Sequence, residues 1–295
     1  MLHEYTAKDI STCLKSKKIV LAGDSTIRQI YWAIARKLNA TDAEKNMAVA
    51  EKHGDFGFQS AGVDLRFLWD PYMNSTSLHL ELAAFKDRDG LSSKRDDSKA
   101  ISAGIILVGG GLWHTRNIDV APQRQFRAAI DDIVSYMHPA VSKNVPSNIF
   151  RPNAQSPTEE DLVLLAPVQV PLYNALSPSR STTLTPTKID EMNSYLHHLS
   201  ADQKADVTWS YSLMTWHRKR AYEESGLHVV GSVADRQADV LLNLRCNAMA
   251  AGSGHYPFNR TCCSNYNRPG WIQWATLLLG LGVIPVVALM TMRGK

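Results

Sequence analysis

Several function classes are missing their signals from this chain. The four cysteines and ten histidines show no metal-ligand spacing, neither two cysteine pairs nor His-Glu-x-x-His, so no metal is expected. There is no long basic run. The net charge of +4, from 32 basic and 28 acidic residues, is too mild to argue for a nucleic-acid partner. No internal repeat occurs. The start, Met1-Leu2-His3-Glu4-Tyr5, carries no basic-then-apolar secretory signal.

What remains is an ordinary globular composition, 44% apolar and 20% charged over 295 residues, enough to bury a core as one large domain or two small ones. One stretch organises it. The apolar run Lys18-Ile19-Val20-Leu21-Ala22 ends in Gly23-Asp24-Ser25. Beyond it, Ile27, Ile30, Tyr31, Ile34 and Leu38 recur at helical steps. A buried strand therefore feeds a helix through a turn at Ser25. A serine hydroxyl is thereby set at the carboxyl end of a sheet, beside backbone amides that lack a helical partner. An attacking oxygen and an oxyanion site can both be built there. The same tripeptide also serves as a plain helix cap, with no chemistry attached.

Further apolar runs at Ser102–Gly111 and Leu162–Val168, and alternating segments at Val63–Trp69 and Val207–Tyr211, are expected strands. Helical spacing marks Pro122–Met137, Thr187–Ala205 and about Gly231–Leu244. The densely charged stretch Lys86–Lys99 and the proline-containing His138–Glu160 are expected loops. Strands that alternate with helices imply a mainly parallel five-stranded sheet in a three-layer α/β/α sandwich. Its ligand crevice lies at the carboxyl ends of the strands. Gly23-Asp24-Ser25, Gly109-Gly110-Gly111 and the loop after Trp209 all fall on that edge. A serine nucleophile needs a base, and His114 and His228 are the histidines placed to supply one.

One segment departs from the average composition. Trp271–Met292 holds no charge and is long enough to cross the roughly 30 Å hydrocarbon core of a bilayer. Trp271 and Trp274 suit an interfacial belt, and Arg293 and Lys295 follow the far end. The expected organisation is a catalytic domain over residues 1–270, a membrane span over 271–292 and a short tail over 293–295. Sequons at Asn39, Asn74 and Asn259, and the Cys262-Cys263 pair, favour a luminal domain. The expectation is a piece of a longer membrane protein of the secretory pathway. In a lumen Cys13 can pair with Cys246, Cys262 or Cys263; adjacent cysteines fit disulfide geometry poorly.

A set of motifs comes in a particular order: Gly23-Asp24-Ser25-Thr26-Ile27-Arg28, Phe67-Leu68-Trp69-Asp70-Pro71-Tyr72, Gly109-Gly110-Gly111-Leu112-Trp113, Gly226-Leu227-His228 and Leu241-Leu242-Asn243-Leu244-Arg245-Cys246-Asn247. Together they resemble the SGNH-type luminal domain of the sialate and fungal capsule O-acetyltransferase family, related to plant PC-esterases. The resemblance covers most of residues 1–270. It implies an SGNH-hydrolase-like fold followed by a multi-span membrane domain, of which 271–292 is the first helix, and a Golgi or related membrane location. It also implies an acyl-serine mechanism that moves acetyl from a donor, acetyl-CoA or an intermediate carrier, to a hydroxyl of a glycan or polysaccharide.

By the same resemblance Ser25 is the nucleophile and His228 the base. The Ser25 amide contributes to the oxyanion hole, with Gly109-Gly110-Gly111 beside it and Asp24, Arg28 and Trp113 in support. Two positions depart from the family pattern. Its Asp-x-x-His appears here as Ser225-Gly226-Leu227-His228, which leaves Glu224 as a substitute acid or a backbone carbonyl to orient the imidazole. The oxyanion asparagine stands at Gly109. The alternatives are an acetylesterase using the same centre, or a glycan-binding module that has lost its chemistry with the acid at 225.

Overall fold

The computed structural model describes residues 3–14, 17–86, 103–116, 121–137, 161–216 and 218–253. The chain divides into two units, Glu4–Pro257 and Met1–His3 with Phe258–Lys295, and the elements below belong to the first. From the amino end, Thr6 and Asp9 cap helix α1 (Ala7–Cys13) reciprocally, which satisfies two donors that no helical carbonyl reaches. Strand β1 (Lys18–Gly23) is buried along its whole length, as an apolar run between two helical layers must be. Helix α2 (Ser25–Leu38) follows, then α3 (Ala40–Val49). A hairpin of β2 (Phe56–Ser60) and β3 (Val63–Trp69) leads to α4 (Thr76–Lys86). Beyond them lie β4 (Ala103–Gly109), α5 (Pro122–Met137) and β5 (Leu162–Leu165). The short α6 (Pro178–Ser181) precedes α7 (Pro186–Ala201), α8 (Ser210–Thr215) and α9 (Gly231–Ser253).

The fold is α/β with one mixed sheet in the order β2-β3-β1-β4-β5. β1 pairs in parallel with β3 and β4, β4 pairs in parallel with β5, and only β2 runs antiparallel. The chain leaves β1 first to one side and later to the other, so the carboxyl end of β1 is the topological switch point where such sheets open a crevice. Ser25 stands at that end. One face of the sheet buries Val20, Ala22, Ile106 and Val108 with Leu78, Phe126, Ile133 and Leu196 from α4, α5 and α7. On the other face α2 and α9 pack together, and Arg36 of α2 pairs with Asp235 of α9 at 2.8 Å.

One expected strand is corrected, and one strand, β2, is not among those expected. Val207–Tyr211 supplies a single bridge, Val207 to Leu165. Trp209 then takes helical dihedrals and opens α8, so that Tyr211 and Thr215 are buried together one helical turn apart. The fifth strand is instead β2, at the edge. It is joined to β3 through Ala61 and Gly62, both at positive φ (51° and 76°), the geometry of a two-residue hairpin turn. The expected span 271–292, Asn259, Cys262 and Cys263 lie outside the described residues, as do most of Lys86–Lys99 and His138–Glu160. Among the described residues no helix is long and apolar enough to cross a membrane.

Cys13 is bonded to Cys246, which staples α1 to α9 across 233 residues of sequence. Closing so long a loop restricts the unfolded chain. Cys13→Ser is therefore expected to cost roughly 2–5 kcal/mol, read by calorimetry as a Tm lower by roughly 5–15 °C. An unchanged Tm under oxidising conditions would exclude that contribution.

Candidate active site

The site begins with a close approach of strands. Gly23 lies in register with Gly109, and a Cβ on Gly23 would sit 1.9 Å from the Gly109 carbonyl oxygen. The two strand ends converge beside Ile27 of α2, whose Cδ1 would lie 2.5 Å from a Cβ on Gly109. Asp24 then caps α2, its carboxylate accepting from the Thr26 N–H (2.9 Å) and the Thr26 hydroxyl (2.6 Å). Ser25 is the first helical residue, so its own N–H has no acceptor within the helix.

His228 arrives on the loop before α9. Its Nε2 is 2.8 Å from Ser25 Oγ. That loop is tied down from several sides. Gln29, one turn beyond Ser25, donates to the Val229 carbonyl (2.8 Å) and accepts from the Val229 N–H (3.2 Å). The Leu172 N–H donates to Gly226 O (2.7 Å), and the Tyr222 hydroxyl donates to Val170 O. Nucleophile and base are thus held by one helix, through a two-way amide clamp. Sequence reasoning did not select Gln29. Its place one turn after Ser25, on the face of α2 that meets the loop, is the only sequence signal that marks it.

The carboxylate nearest the far side of the imidazole belongs to Glu223, not Glu224: Glu223 Oε2 is 3.9 Å from His228 Nδ1. This is an ion-pair distance and exceeds a hydrogen bond. The Glu223 N–H also donates to the His228 carbonyl at 3.0 Å. Ser225, at the family acid position, turns its Oγ toward the Leu227 N–H (3.4 Å). Glu223→Ala is expected to lower turnover by about tenfold, the scale of one weak orienting charge, and Glu224→Ala to leave it unchanged. Steady-state rates for the pair decide between the two carboxylates, and equal losses would reject the assignment.

Burial lowers the His228 pKa below its ordinary value. Asp24 opposes that shift, while Arg28, Arg180 and Lys52 add to it. Asp24 is itself 1% exposed, and burial pushes its carboxyl up against the pull of its Thr26 hydrogen bonds. The imidazole is consequently neutral at pH 7, the form a general base requires.

Ser25 and His228 open onto a cavity of about 370 Å³ whose wall includes Arg28, Trp32, Met47, Lys52 and Phe56. Arg28 donates to the Lys52 carbonyl and lies over the Trp69 ring at 5.6 Å. Trp69 meets Trp113 edge-on at 5.7 Å, and Arg116 covers Trp113 at 4.4 Å. Arg28 is therefore beside the nucleophile, and Trp113 belongs to an aromatic and cationic belt next to it. The glycines separate. Gly109 meets the Ser25 helix through Ile27, whereas Gly110 abuts Pro71 and Met73, and Gly111 abuts Val168 and Phe126. His114 is buried edge-on to Tyr72 (5.3 Å) and Phe126 (5.7 Å) and does not line the Ser25 cavity. The Asn39 amide caps α3 and donates to Asp42 Oδ2 (2.7 Å), whereas Asn74 is exposed. Among the described residues no cluster of three metal-ligating side chains occurs.

Residues 2–84 match the family model "NXPE family member 4-like, C-terminal domain". Over 273 residues, 90% of the chain, the sequence is 25% identical to an N-acetylneuraminate (7)9-O-acetyltransferase of Danio rerio. The resemblance is to a sialate O-acetyltransferase. The chain spans 29% of that relative's length. A lipase/acylhydrolase from Enterococcus faecalis aligns with 76% of the chain and 96% of its own, at 13% identity and a TM-score of 0.38. The sialate O-acetyltransferase match, at 90% of the chain, takes in His228, whereas the family model takes in Gly23-Asp24-Ser25 and ends at residue 84.

Proposed function

We propose that the protein is an O-acetyltransferase that carries acetyl on Ser25 and passes it to a hydroxyl of a glycan or polysaccharide. The observation that carries this reading is the 2.8 Å contact between His228 Nε2 and Ser25 Oγ at the switch point of the sheet. In the first half-reaction neutral His228 takes the Ser25 proton while Oγ attacks the acetyl carbonyl. The oxyanion faces the Ser25 N–H, and one such donor is worth about 10²–10³ in rate. His228 then returns the proton to the leaving thiol. In the second half-reaction it takes the proton of the acceptor hydroxyl, whose oxygen attacks the acyl-serine carbonyl, and it returns that proton to Ser25 Oγ as the acyl C–O bond breaks and Ser25 is freed.

Arg28, Lys52 and Arg180 around His228 suit an anionic donor, and acetyl-CoA is the donor proposed. Sialic acid, which the Danio rerio relative is named for, is a fitting acceptor because its carboxylate suits the same cations. The Cys13–Cys246 bond supports a secretory-pathway lumen, since disulfides persist in oxidising compartments. A membrane attachment through 271–292 belongs to the same proposal.

Incubation with acetyl-CoA is expected to leave an acetyl group on Ser25, seen by intact-mass spectrometry and peptide mapping. An adduct that persists in Ser25→Ala, or none at all, would overturn the reading. Chromogenic acetyl-ester turnover with and without a sugar acceptor separates transfer from hydrolysis. The pH profile follows from the lowered His228 pKa. The base works when unprotonated, so kcat/KM is expected to hold as pH falls past 6.5, the ordinary histidine value, and to drop only below it. An acidic limb above that value would contradict a buried base.

A further inference from the structure

A second cavity, of about 670 Å³, lies apart from Ser25 and shares no lining residue with the first. Its wall includes Tyr173, Asp190, His197, Trp209, Trp216 and Arg218. This volume is in the range of small-ligand sites. The wall combines flat apolar faces with a few polar groups. His197 stacks on Trp209 with centroids 3.6 Å apart and planes 3° from parallel. Trp216 is 64% exposed at the rim. The Tyr173 hydroxyl is buried and has no hydrogen-bond partner among the described residues, a cost that a ligand hydroxyl would remove.

The charges narrow the ligand further. Arg218 is the cation of the wall and Asp190 the carboxylate, so a polyphosphate would meet one attractive and one repulsive group. A pyranose fits better. Its ring carries an apolar C–H face that lies flat on indole, with hydroxyls around the edge for a carboxylate and a phenol to bind. Tyr222 also lines this cavity, and it bridges to Val229 beside the base. The cavity and His228 therefore share the segment 222–229.

We propose that this cavity is a saccharide-binding subsite in which a pyranose ring lies against Trp216 and its hydroxyls bond to Asp190 and Tyr173. The assignment does not depend on Ser25 being a nucleophile. It is tested on the whole chain carrying Ser25→Ala, so that a failure of binding and a failure of acyl transfer are read separately. Lactose, mannobiose and 3′-sialyllactose are titrated by ligand-observed NMR. At least one of them is expected to give a saturable signal.

Trp216→Ala and Asp190→Ala, both at exposed positions, are each expected to weaken that binding by roughly tenfold or more. Leu80→Ala, at an exposed position on α4, serves as the control and leaves binding unchanged. Absence of a saturable signal from all three sugars would overturn the proposal. So would undiminished binding by folded Trp216→Ala, or displacement of the sugar by coenzyme A with the same Trp216 dependence, which would make the cavity a nucleotide site.

Discussion

Ser25→Ala is expected to abolish acetyl-ester turnover, by about 10⁴-fold or more, while leaving the fold intact. The two halves of this expectation come from different atoms. Loss of Oγ removes the attacking oxygen and the partner of His228 Nε2. The cap of α2 is untouched because Asp24 supplies it through Thr26. Unfolding stability should therefore change by less than about 0.5 kcal/mol. His228→Ala should lose nearly as much activity, and the double variant little more than either single one, since the two groups act as a unit. Chemical denaturation beside turnover reads both halves. Residual turnover within tenfold of the parent would remove Ser25 from the mechanism.

Gly23→Ala should do the opposite and damage the frame before the chemistry. The added Cβ would meet the Gly109 carbonyl oxygen at 1.9 Å, at a backbone φ of +154°, so β1 and β4 must part at the point where Ser25 is set. The closest clash is with backbone, which cannot rotate away, and Ile27 Cγ1 crowds the same point at 2.8 Å. A loss of more than roughly 3 kcal/mol is expected, seen as a lower urea midpoint or as insoluble protein. Gly109→Ala makes a useful contrast. Its closest neighbour is Ile27 Cδ1 at 2.5 Å, the end of a flexible chain, with the Ala166 Cβ at 2.7 Å. It should cost less than Gly23→Ala. Equal stability of Gly23→Ala and the parent would show that the strand ends can separate freely.

The parts of this fold that were legible in the sequence are those where one rule acts alone. β1, β3, β4 and β5 are apolar runs or alternations, and α2 and α5 carry helical spacing, so periodicity sufficed. Val207–Tyr211 misled because alternation over a few residues also fits the start of a helix. There Trp209 and Tyr211 are placed by packing against distant elements. β2 was hidden by its turn: Ala61-Gly62 adopts two positive φ values without the Asn-Gly signature.

At the site, Gly23-Asp24-Ser25 stands out because capping and a tight strand end both need those residues. The acid did not stand out. Glu223 and Glu224 are neighbours in sequence, and only the bend of the loop, set by Gly226 at φ +65° and the bond from Leu172, decides which one faces the imidazole. Gln29 lies outside any motif because its two shorter bonds go to backbone groups of Val229, which leave no trace in residue type, while its contact with Glu223 Oε1 is longer, at 3.5 Å.

The Cys13–Cys246 bond also determines how this molecule bears tension. All five strands, Ser25 and His228 lie between the two cysteines. A pull on the chain from outside that interval passes from one sulfur to the other and bypasses the sheet. The nucleophile and its base are thus enclosed in a covalent ring. Tension between the chain before Cys13 and the chain after Cys246 leaves their 2.8 Å spacing unloaded.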